Sequence, residues 1–208
     1  MTEPGAALLR AAQTMDRLRS PGGCPWDAEQ THASLAPYLI EEAYETLDAI
    51  ETGDLAALRE ELGDLLLQVL FHARLAEEAE PGFSIDDVAD DLVAKLIRRH
   101  PHVFADVSVD SAAEVSANWE QIKKAEKQRD SATDGIAMGQ PALALAAKLI
   151  SRARKEGVHA ALPADSGIGA RLLAVVAEAV QAGIDPELAL REAARDYRDA
   201  IKAEESSG

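Results

Sequence analysis

Cysteine is almost absent from this 208-residue chain, and the single Cys24 excludes an intramolecular disulfide. Aromatic residues are scarce as well, at 4%, while apolar residues reach 47% and are mostly Ala and Leu. Strands draw on aromatic and β-branched side chains, so this balance predicts an all-α fold. Basic residues are outnumbered, with 21 Lys and Arg against 37 Asp and Glu and a formal net charge of -16. So acidic a surface repels phosphate backbones, which excludes nonspecific binding of long nucleic acids but not of a nucleotide carried by a bridging metal. No uncharged stretch reaches membrane-spanning length, and the start Met-Thr-Glu-Pro-Gly lacks the basic and apolar regions of a signal peptide. These absences predict a soluble, cytoplasmic protein with no membrane partner, long enough for one large domain or two small ones.

What is present is helical periodicity. Apolar spacing predicts a helix from Ala6 to Arg19, and Ser20-Pro21-Gly22-Gly23-Cys24-Pro25 then predicts a loop. From Thr31 to Ile50 the positions Leu35, Leu39, Ala43, Leu47 and Ile50 recur at three or four residues, the mark of an amphipathic helix ended by Thr52-Gly53-Asp54. Asp54 is placed to cap a second long helix running to about Glu78, with Leu58, Leu62, Leu65, Leu66, Val69, Leu70 and Ala73 on its apolar side. So short a loop implies an antiparallel pair. Ser84 with Asp87 predicts the start of a third helix, carried by Ile85, Val88, Leu92 and Leu96 up to Arg99. An irregular stretch from His100 to Val109 precedes a polar helix from Ser111 to Lys127, read as an arm or lid. Residues 130–139 read as a linker, followed by helices at about Pro141 to Glu156, Ala170 to Ala182 and Pro186 to Glu205.

Two acidic clusters lie on the first helix pair. Glu42 and Glu45 are three apart and Glu41 and Glu45 four apart, so they share a helix face, as do Glu61 and Asp64 on the next helix. Like charges at that spacing destabilise an isolated helix by a few tenths of a kcal/mol per pair, and two such faces brought together repel further. A divalent cation removes the penalty. An all-carboxylate set suits Mg²⁺, which keeps waters and also binds substrate phosphates, whereas Zn²⁺ is poorly served by one cysteine and histidines without ligand spacing. In a chain with 37 acidic residues, one such cluster alone is better explained as a solvated face. The second shifts the balance, because Glu61 and Asp64 fall beside Leu62 and Leu65, expected to face the core.

Residues around these clusters extend the pattern. Gly23-Cys24-Pro25-Trp26-Asp27-Ala28-Glu29-Gln30-Thr31, Tyr38 to Ala49, Glu60 to Gln68, Arg98-Arg99-His100-Pro101-His102-Val103-Phe104 and Asn118-Trp119-Glu120-Gln121-Ile122-Lys123 together resemble the MazG family of nucleoside triphosphate pyrophosphohydrolases. The resemblance covers about residues 6 to 128 and is strongest with the family's tandem-domain bacterial members. It implies an antiparallel α-helical bundle, usually a homodimer, that cleaves (d)NTPs between the α and β phosphates to a monophosphate and pyrophosphate, as in nucleotide-pool sanitation. Mg²⁺ is the implied cofactor, with Mn²⁺ as a substitute. Carried over, Glu42, Glu45, Glu61 and Asp64 hold the metal, and Glu41 supports the site or helps to orient the attacking water. Lys95, Arg98 and Arg99 face the phosphates, and Trp119 and Lys123 contact the nucleotide from the arm.

The residues themselves bear on these roles. Lys95 and Arg99 lie four apart on one helix face, which suits phosphate oxygens; the competing reading pairs them with Asp90 or Asp91. Trp119 is as well suited to packing as to stacking on a base, and Trp26 reads as a core or interface anchor. Cys24 has no base beside it and reads as structural, while His100 and His102 flank Pro101 and shape a turn.

Residues 1–130 are therefore expected to form the catalytic domain with its arm, and 140–208 a shortened, degenerate second domain of the same type, kept for packing or dimerisation. Setting Gly169 on Gly63 puts Ala170 at the place of Asp64 and Gly167 at that of Glu61; setting Asp196 on Lys95 puts Asp199 at Arg98 and Ala200 at Arg99. No metal ligand survives there. Two rival readings remain: a non-catalytic all-α regulatory or interaction protein, and a narrower dUTP, dCTP or phosphoribosyl-ATP pyrophosphatase. The Cys-Pro-Trp-Asp and Arg-Arg-His-Pro-His motifs favour the MazG resemblance over the narrower enzymes.

Overall fold

A computed structural model describes residues 5–105, 107–112, 114, 115, 118, 119, 122, 126, 130–163 and 167–207. Every regular element bounded among them is a helix: α1 (Ala6–Arg19), α2 (Pro25–Glu29), α3 (His32–Thr52), α4 (Leu55–Ala76), α5 (Ile85–Arg99), α6 (Pro101–Phe104), α7 (Ala142–Lys155), α8 (Ile168–Gln181) and α9 (Pro186–Ser207). The chain is all-α, as its composition predicts. It forms two compact units, Met1–Trp119 and Glu120–Gly208.

The α3–α4 pair carries both acidic clusters, and local chemistry fixes its ends. Thr31 Oγ1 accepts from Ser34 N at 3.1 Å while Ser34 Oγ accepts from Thr31 N at 2.9 Å, a reciprocal cap that satisfies donors with no partner inside the helix. At the other end Gly53 takes φ 71°, a left-handed conformation that ends α3 without a Cβ penalty. Asp54 then accepts from Ala56 N and Ala57 N at 2.9 and 3.1 Å, so a two-residue turn reverses the chain into α4. The cap expected at Ser84 is also present, with Asp87 N donating to Ser84 Oγ at 3.2 Å and Ser84 N to Asp87 Oδ2 at 2.7 Å.

Met15, Leu35, Leu70, Phe71 and Leu75 form the core of the first unit, with Ala11, Ala12, Leu66 and Ile85 packed against it. An ionic network closes the edge between α1 and the end of α4. Arg19, its side chain only 7% exposed, donates from two nitrogens to Glu78 at 2.8 and 2.9 Å and also to the Asp27 carbonyl, while Arg74 joins Asp16 at 2.9 Å and Glu78 at 3.1 Å. The loop between α1 and α2 needs Gly23, because a Cβ there would lie 2.2 Å from the Leu18 carbonyl oxygen.

Several expectations are corrected. Pro25, expected to close a loop, opens the short helix Pro25–Glu29, and Pro101–Phe104 is a short helix within the stretch expected to be irregular, since each proline occupies a first helical position, where the missing N–H has no partner to lose. Leu62 does not face the core: it is 52% exposed. Leu39, Ile50 and Val69 are exposed too, because the core side of each helix was narrower than its apolar stripe. The arm predicted from Ser111 to Lys127 falls largely outside the described residues. In the second unit α7 packs on α8 and α9, α9 is capped by Asp185, and Ile136, Val176 and Pro186 are buried.

Candidate metal centre

The antiparallel pairing brings Glu42 and Glu45 of α3 against Glu61 of α4. One carboxylate oxygen from each lies within 4.8 Å of the others; Glu42 and Glu61 are half-buried and Glu45 is exposed. Glu42 is held above the ordinary carboxylate range, first by partial burial and then by Asp64, Glu45, Glu61 and Glu41. Glu61 is raised for the same reasons, burial first, then Glu45, Asp64 and Glu60. All the neighbouring charges named are negative. Asp64 is half-buried and outside the close trio, yet its charge acts on both glutamates; Glu41 is exposed at the rim.

Carboxylates that converge in this way without a cation between them raise one another's proton affinity, and an all-oxygen donor set is the kind that hard divalent cations take. The residues fit Mg²⁺. Sequence reasoning passed over Glu60, whose pairing with Glu61 repeats that of Glu41 with Glu42 and was there to be read.

On α5, Lys95 and Arg99 are half-buried and Arg98 is exposed. Among the described residues Lys95 makes no ion pair with Asp90 or Asp91, so that competing reading fails for Lys95. The Arg99 guanidinium lies 5.8 Å from the centre of the Trp119 ring, within cation–π range. His100 donates from Nδ1 to the Leu96 carbonyl at 2.7 Å and its ring sits 6.3 Å from Trp119 and 5.6 Å from His102, which ties the end of α5 to the turn after it. Lys123 lies outside the described residues. Trp26, 51% exposed, meets Tyr38 and Phe71 edge-on at 6.3 and 6.4 Å, and so roofs one side of the core.

Residues 30–104, which contain the whole acidic constellation, match the MazG nucleotide pyrophosphohydrolase domain. The protein of Thermotoga maritima named nucleoside triphosphate pyrophosphohydrolase/pyrophosphatase MazG is 38% identical over 226 residues, covering 97% of this chain and 87% of its own. The chain belongs to the MazG family. The nucleoside triphosphate pyrophosphohydrolase of Mycobacterium tuberculosis is 48% identical over 205 residues, and that of Escherichia coli K12 is 51% identical over 152. This MazG chain spans 60% of the length of the former and 57% of the latter.

Proposed function

We propose that this MazG chain is a Mg²⁺-dependent nucleoside triphosphate pyrophosphohydrolase, cleaving (d)NTPs between the α and β phosphates in nucleotide-pool sanitation. The convergence of Glu42, Glu45 and Glu61 from two helices carries the reading. With Asp64 they would hold the cation, which when bound would neutralise phosphate charge and make a water more acidic. Glu41 or Glu45 positions that water or takes its proton, and water adds across the α–β anhydride without a covalent intermediate. Lys95, Arg98 and Arg99 bind the phosphates, and Trp119 and Lys123 contact the nucleotide. Mn²⁺ substitutes for Mg²⁺, since carboxylate oxygens suit both ions. The active form is a cytoplasmic homodimer, and the region 140–208 is a shortened second MazG-like domain that has lost its ligands and serves packing.

The test is a panel of ribo- and deoxyribonucleoside triphosphates with Mg²⁺, reading pyrophosphate against orthophosphate. Pyrophosphate release that disappears in a folded E42Q or D64N variant is expected. Orthophosphate as the sole first product would sink α–β cleavage, and full activity in both variants would sink the site.

A further inference from the structure

Outside the acidic cluster, the same two helices hold a second pair of titratable groups. His32 opens α3 and His72 lies near the end of α4, and their Nδ1 atoms are 2.8 Å apart. The rings are parallel to within 3° with centres 5.1 Å apart. They do not lie face on face, because stacked rings cannot bring two atoms closer than the contact distance of about 3.5 Å between layers. The centre-to-centre distance is instead the nitrogen separation plus the two ring radii, so the imidazoles meet edge to edge in nearly one plane. Each Nδ1 points at the other. A metal ion has no room on that line, since it needs about 2.0–2.1 Å to each nitrogen. The separation is that of one N–H···N hydrogen bond.

Which ring donates is decided by the far nitrogens. His72 Nε2 is buried with no hydrogen-bond partner, whereas His32 is exposed. A buried N–H without an acceptor is expensive, so His72 carries its proton on Nδ1 and donates to His32, whose own proton then sits on Nε2. Adding a proton breaks this arrangement in either form. If His32 takes it at Nδ1 and the bond is kept, His72 must shift its own proton to the buried Nε2. If His72 takes it, the new N–H sits on that same buried nitrogen.

We propose that His32 and His72 form a proton-sharing clasp that ties the start of α3 to the end of α4 at neutral pH and opens when the pair takes up one further proton. On opening, the link between the two helix ends is lost and the first turn of α3 loosens around His32, while Leu35 in the core and the turn at Gly53-Asp54 keep the helix in place. Titratable groups toward the same end of the helix pair are Asp16 and Arg19 of α1 and Asp86 and Asp87 of α5, both of which pack on α4, Asp27 and Glu29 of α2, which packs on α1, and Arg74, Glu77 and Glu78 of α4 itself. Asp16, Arg19, Arg74 and Glu78 are engaged with one another and Asp87 caps α5. None of them acts on His72, whose proton affinity is lowered by burial and by His32 alone. A histidine with a lowered folded-state pKa leaves the unfolded chain binding more protons, so stability falls as pH drops from about 6.5 toward the lowered value.

The test uses the full chain without nucleotide or metal. Long-range ¹H–¹⁵N imidazole spectra at about pH 7.5 should show His72 as the Nδ1–H tautomer and His32 as the Nε2–H tautomer, the two changing together on acidification. Between about pH 7.5 and pH 5.5 the unfolding equilibrium constant should rise several-fold more in the wild type than in an H32F/H72F double variant, with faster amide exchange confined to the first turn of α3. An Nε2–H tautomer at His72, or two histidines that titrate independently, overturns the clasp even if the double variant fails to fold. Equal pH dependence in wild type and variant overturns it as well.

Discussion

Glu42 and Glu61 bind their protons more tightly in the folded chain than in the unfolded one. The sign follows: the charged cluster lowers the stability of the metal-free protein at neutral pH, and that penalty is relieved as pH falls from the raised values toward the ordinary 4.5. E42Q should therefore raise the denaturant midpoint without metal at pH 7, while Mg²⁺ should raise that of the wild type and move E42Q far less. Turnover in E42Q and E61Q should drop on the order of 10²-fold or more, since losing about 3 kcal/mol of metal-borne charge stabilisation corresponds to that factor. A Mg²⁺ response unchanged in E42Q would remove it from the ligand set. Glu78 behaves in the opposite sense. Its hydrogen bonds from Arg19 hold it below the ordinary range, so its contribution is present above about pH 4.5 and fades as pH falls through the lowered value. E78Q should cost about 1 kcal/mol at neutral pH, discounted for its partly exposed carboxylate, and should flatten the acid limb of the stability profile.

At the scale of the helix, D54A tests the turn that registers α3 on α4: loss of two accepted hydrogen bonds should lower stability by about 1 kcal/mol with no change in denaturant slope. L35A removes a side chain only 1% exposed from the core cluster and should cost about 2–5 kcal/mol. These elements were legible because their signals are local. Thr31, Gly53, Asp54 and Ser84 act on atoms within four residues of themselves, and the carboxylate spacing is a property of a single helix. Where tertiary packing decides, the chain alone was mute or misleading. The apolar stripe of α4 runs through Leu62, but which part of a stripe is covered depends on the neighbours, and α1 and α3 leave Leu62 in the open. Pro25 reads as the close of a helix-stopping segment, and Pro101 falls in a stretch read as irregular, yet a place at the first helical position makes each proline a starter. The His32–His72 contact joins residues 40 apart and left no periodic trace.

For the molecule as a whole, exposed apolar side chains decide what must still be covered. Ile40, Leu62 and Val69 of α3 and α4 and Leu92, Val93 and Ile97 of α5 are each more than a third exposed, and no residue of α5 is buried. A helix with an apolar stripe and no buried residue gains little from folding against its own chain, so its stability calls for a second surface. A second copy supplies one by symmetry, each presenting the same patch to the other. At micromolar concentration the chain should therefore sediment with twice its mass of 22.2 kDa. Because Leu92 is 46% exposed, L92D places its charge in water in the single chain but in an apolar seam in the dimer. The variant should lose the dimer while keeping its helical circular dichroism, and its unfolding midpoint should no longer depend on protein concentration. A wild type that sediments at 22.2 kDa across that range, with L92D indistinguishable from it, would leave the apolar face of α5 without a partner and remove the homodimer from the proposal.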